Sequence, residues 1–113
     1  MIDCLLIHND NLPSDLIEAF RDKIKFDIPQ SKMLEYSYSF DKEAHRQLEK
    51  ALEKQNYNVI FLPLYLSEQN YLELTGLRLA AHIRLTPRFN HQHVPIVFLG
   101  SESPEQIAKL SYL

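Results

Sequence analysis

The residues of this chain best equipped for chemistry stand at the ends of its apolar runs. The first run, "IDCLLIH", leads into His8, Asn9 and Asp10; "NVIFL" runs into Pro63; "VPIVFLG" ends at Gly100, with Ser101 next. An imidazole, a carboxamide, a carboxylate and a hydroxyl gathered at one place could hold a ligand or move a proton. No Ser, Cys or paired carboxylate stands beside His8 at a spacing that marks a nucleophile or an acid–base pair, so His8 reads as a satisfied polar residue at a strand end. Pro63 has no nucleophilic oxygen to offer. His82, His91 and His93 form a second set, with His91-Gln92-His93 bringing two imidazoles together in a loop. They lack a nearby thiol, and they read as solvated histidines with no metal expected. With Arg84 and Arg88 they make a local basic stretch without the interleaved aromatics of a nucleic-acid reader. The single cysteine, Cys4, lies inside "CLLI", has no partner for an internal disulfide, and reads as a buried thiol. With only 2 glycines there is no phosphate-cradling loop and no dinucleotide motif. The chain therefore carries no evident catalytic residue and no cofactor motif.

The bounds agree with that reading. A length of 113 residues suits one domain over 1–113, without an internal linker, repeat or low-complexity tract. Twelve Lys and Arg against 15 Asp and Glu give a net charge of -3, which disfavours non-specific binding to nucleic acid. The apolar runs fall well short of the ~20 residues that span a membrane, and no basic, apolar leader opens the chain. With one unpaired cysteine, a cytoplasmic location is expected.

Positioning these residues requires alternating elements. "IDCLLIH" is short, apolar and followed by the turn-forming "NDNLPSD", as a buried strand would be, and the strand is placed over Ile2–Ile7. Leu16, Ile17, Phe20 and Ile24 share a helical face over Ser14–Lys25. "KMLEYSYSF" alternates like a strand with one wetter face, and Tyr36, Tyr38 and Phe40 fall on one side of it. Asp41 is placed to cap a helix to Gln55 that repeats Ala44, Leu48, Ala51 and Leu52. "NVIFL" is apolar throughout, as a central parallel strand would be. Leu74, Leu77, Ala81 and Leu85 line one stripe of a third helix, and "VPIVFLG" reads as a fourth buried strand. Ser103-Pro104-Glu105-Gln106 forms a capping box that opens a fourth helix. Strict strand–helix alternation predicts a doubly wound α/β fold with a parallel sheet.

"YNVIFLPLYLS", "TGLRLAAHIR" and "VPIVFLG" together resemble the receiver domain of bacterial response regulators, with Gly76-Leu77 and Ile83-Arg84 at the separation that family keeps. The resemblance covers nearly the whole chain and implies a flavodoxin-like sheet in the order 2-1-3-4, with the fifth strand and helix missing. It implies more about chemistry. Receivers accept a phosphoryl group on an aspartate at the end of the third strand, and that position aligns with Pro63. Their acidic pair, which helps hold Mg²⁺, aligns with His8 and Asn9, and their hydroxyl sensor aligns with Gly100. Their lysine after the fifth strand has no counterpart here. The resemblance thus implies a receiver whose phosphorylation site, His8, Asn9, Pro63 and Gly100, has degenerated. "SEQNYLEL" lengthens the segment before Gly76 relative to the family.

The expected function is that of a pseudo-receiver in signalling or transcriptional regulation. It would not be an enzyme, and would act through contact with a protein partner or with itself as a homodimer. A fourth strand left at the sheet edge would invite such pairing. If the natural chain is longer, the family pattern allows an output module after this segment. The competing class is a small-ligand or catalytic flavodoxin-like domain using the crevice at the carboxyl ends of the strands. A third reading keeps phosphorylation on a displaced acceptor such as Asp10 or Glu68.

Overall fold

Alternation of side chains along a strand explains how this small sheet is covered on both faces. The computed structural model describes residues 1–8, 14–38, 42–63 and 75–99. In β1 (Ile2–His8) and β3 (Val59–Pro63), successive residues point to opposite faces. Leu5, Ile7, Ile60 and Leu62 join one core cluster, with Leu48, Leu52, Leu79, Ala80 and Ile83 from two helices. Cys4, Leu6 and Phe61 form the other cluster, against Ile17, Phe20 and Ile24. Two apolar faces on one strand are what an unbroken apolar run encodes.

The helices are α1 (Ser14–Asp27), α2 (Lys42–Lys54) and α3 (Thr75–Leu85), and the remaining strands are β2 (Ser31–Ser37) and β4 (Ile96–Leu99). The sheet runs β2-β1-β3-β4, and every pairing is parallel. The doubly wound α/β order expected from the sequence is the order found. α1 lies on one face, while α2 and α3 lie on the other. Asn58 extends the β1–β3 junction by donating its amide to the Asp3 carbonyl (2.7 Å) and accepting the Asp3 amide on Oδ1 (2.8 Å).

Three expectations need correction. The stripe Leu77, Ala81, Leu85 does not face the core: Leu77 and Leu85 are 43% and 77% exposed, and Ala81 is also exposed. α3 buries Gly76, Leu79, Ala80 and Ile83 instead. "LRLAAHIRL" carries apolar residues on several faces, so two stripes fit its sequence, and packing on the sheet selects one. Leu16 likewise lies outside the α1 contact face, at 58% exposure, while Ile17, Phe20 and Ile24 make the contact. Finally, β4 is not a buried strand. Ile96 and Leu99 are half-buried, while Val97 and Phe98 are 42% and 37% exposed, because β4 is outermost in the described sheet and lacks a second neighbour there.

The boundaries agree within two residues for β1, α1 and α2. Tyr36 and Tyr38 pack on the α2–α3 core, so the β2 aromatics are core under a helix. Phe40, the Asp41 cap, the segment "SEQNYLEL" and the capping box at Ser103 lie outside the described residues.

Candidate functional site

The carboxyl ends of the strands place four residues side by side. His8 closes β1 opposite Ser37 of β2, and Pro63 closes β3 opposite Leu99 of β4. The β1–β3 register pairs Leu6 with Phe61, and His8 and Pro63 each lie two residues further toward the carboxyl ends of these strands. The structure thus brings together two of the sequence-predicted positions. Asn9, Asp10, Glu68 and Gly100 lie outside the described residues.

The described residues of this mouth offer little chemistry. Pro63 is buried and Ser37 exposed. The His8 carbonyl accepts the Tyr38 amide at 2.7 Å, which ties the mouth of β1 to the chain leaving β2. His8, Ser37, Pro63 and Leu99 contain no carboxylate among them. A receiver's Mg²⁺ requires carboxylate oxygens, so these residues do not fit that ion.

Cys4 is fully buried and unpaired. Burial pushes its thiol pKa up, and the nearby Asp3 charge adds to the shift. A protonated, inaccessible thiol is neither nucleophile nor ligand.

His91 corrects the reading of these histidines as solvated. The short 3₁₀ turn Pro87–Phe89 ends at Asn90 in the left-handed conformation (φ 59°), which asparagine tolerates better than most residues. Beyond this turn His91 is fully buried, stacked on Tyr57 with ring centres 5.8 Å apart. Its Nε2 accepts the Tyr57 amide at 3.3 Å. Desolvation lowers its pKa, and the Phe89 carbonyl offsets this only in part; among the described residues Nδ1 has no partner within hydrogen-bond geometry. Arg84 is also structural, with Nη1 donating to the Gln92 carbonyl at 2.8 Å. Arg88 pairs with Glu49 and, through Nε at 2.8 Å, with Glu53. His93 alone of the histidines named in this loop is exposed.

A second polar cluster, not anticipated from the sequence, joins α2 to α3. His45 and Glu49, one helical turn apart, meet at 2.7 Å between Nε2 and Oε1. The His45 and His82 rings lie 5.3 Å apart. The spacing His45-x-x-x-Glu49 was available in the sequence, but the arrival of His82 depends on how α3 packs.

The fold is that of a receiver-like α/β domain, with Pro63 at the carboxyl end of its third strand. The family model for the inactive receiver domain matches residues 11–113. The chain belongs to that family, and its class is that of a receiver-like regulatory domain independent of phosphorylation. No curated protein and no solved structure matches the chain. Among the described residues, no helix is long and apolar enough to cross a membrane.

Proposed function

We infer that this domain keeps the receiver fold as a constitutive, non-catalytic interaction platform in a regulatory system. Pro63 carries the reading. It stands at the carboxyl end of β3, where a receiver would place its aspartate, and it cannot form an acyl phosphate. His8, at the end of β1, replaces an acidic ligand with an imidazole, which removes the reason for a hard cation to reside there. Asn9 and Gly100 complete the degenerate set in this reading. The old site then works as a fixed structural mouth instead of a switch.

Contact with a second copy of the chain is the interaction that best fits the exposed surface. β4 offers Val97 and Phe98 at the outer strand of the described sheet, where exposed apolar side chains favour pairing with another chain. Light scattering over a range of protein concentrations, with and without acetyl phosphate and Mg²⁺, tests this reading. A concentration-dependent dimer indifferent to the phosphodonor is the expected result. A monomer at all concentrations would end the homodimer reading, and an oligomer that changes with the phosphodonor would end the constitutive one.

A further inference from the structure

We propose that His45, Glu49 and His82 form a binding site for a zinc-class divalent metal ion, bridging α2 and α3. A nitrogen from each histidine and a Glu49 oxygen all lie within 4.8 Å of one another, so small rotamer changes bring three donors around one ion. Two imidazoles and a carboxylate are the set borderline metals prefer, and three protein ligands leave a fourth position for water.

His82 supplies the independent observation. Its Nε2 is buried and has no hydrogen-bond partner among the described residues, a costly arrangement for a polar atom. The other side of the ring explains why that nitrogen is available. Thr86 donates its hydroxyl to the His82 carbonyl at 2.6 Å, which leaves Thr86 Oγ1, 3.5 Å from Nδ1, as an acceptor for an Nδ1 proton. With the proton on Nδ1, Nε2 presents a bare lone pair beside the His45 ring. A metal ion would satisfy it.

His45 and Glu49 are held in the same manner from behind. Tyr38 Oη lies 3.1 Å from His45 Nδ1. When the metal takes Nε2, the proton moves to Nδ1 and is donated to Tyr38 Oη, the outer partner that orients a ligating histidine. Glu49 pairs through Oε2 with Arg88, which Glu53 also engages; its Oε1, which holds His45 Nε2 at 2.7 Å, turns to the ion once that nitrogen gives up its proton. Tyr38 also donates its amide to the His8 carbonyl, so an ion here would brace the α2–α3 layer against the mouth of the sheet. The metal-site proposal does not depend on the proposed function.

The test is Zn²⁺ titration by calorimetry on the untagged, metal-free chain, with Co²⁺ as a spectroscopic stand-in. One ion per chain is expected, with Co²⁺ giving the strong visible bands of a four-coordinate site. His82→Gln and His45→Gln should each weaken binding by more than about tenfold, the scale at which even outer partners of a ligand count. The far-UV circular dichroism of the metal-free variants should match the parent. Should His82→Gln perturb the metal-free fold, Glu49→Gln gives the same readout from α2. Absence of saturable binding overturns the proposal, as does affinity unchanged in these variants, which would place the ion on other histidines such as His8 or His93.

Discussion

His91 is the residue whose environment has the clearest consequence. Its folded pKa is lowered by burial, so around that pH the unfolded chain binds a proton that the native chain refuses. The stability this contributes is present above the unfolded value, about 6.5. It is lost as pH falls through 6.5 toward the folded pKa, below which the loss is complete. Urea midpoints should therefore drop as pH is lowered from 7 into the acid range, and His91→Gln should flatten that part of the profile. His91→Ala at neutral pH leaves the Tyr57 amide without its acceptor and should cost about 1–3 kcal/mol. Cys4 should resist a thiol reagent in the native protein and react on unfolding, as a buried, protonated thiol must. At this scale the sequence was informative where one strand fixes the environment. Cys4 sits in an apolar run and is buried; Pro63 ends such a run and stands at the sheet mouth. His91 was opaque because a left-handed Asn90 turns the chain inward, and no local pattern of polar residues records that turn.

α3 is the element in which sequence periodicity and packing part company. Its apolar residues permit a stripe through Leu77, Ala81 and Leu85 as readily as one through Leu79, Ala80 and Ile83, and only the second is buried. Ile83→Ala should cost about 2–5 kcal/mol in urea unfolding, since it opens a cavity beneath the sheet. Leu85→Ala should stay within about 0.5 kcal/mol of the parent. Equal costs would restore the stripe expected from the sequence. β1 and β3 were legible because a run apolar on both faces has few alternatives to a central parallel strand, and β2 because its alternation marks a wetter edge. The helix pair His45 and Glu49 was legible in spacing but not in meaning. Its third member comes from another helix, and a contact between two helices is a property of tertiary packing.

The whole molecule keeps a receiver fold, and in the proposed reading it has lost the receiver's reaction. Parallel order β2-β1-β3-β4, with α1 on one face and α2 and α3 on the other, preserves the scaffold of a receiver, and the inactive receiver family match runs over residues 11–113. The fold survives without the site because different residues carry the two. Leu5, Ile7, Ile60, Leu62 and their helix partners hold the sheet, while in the proposed reading the receiver's chemistry belongs to a few positions at the strand ends. A fold of this kind can lose its nucleophile and metal ligands and keep its core. Intact mass after incubation with acetyl phosphate and Mg²⁺ tests the central claim most directly. The account predicts an unchanged mass at every time point. A phosphoryl adduct would contradict it, and would mean that an acceptor other than the residue at Pro63 has taken over the reaction.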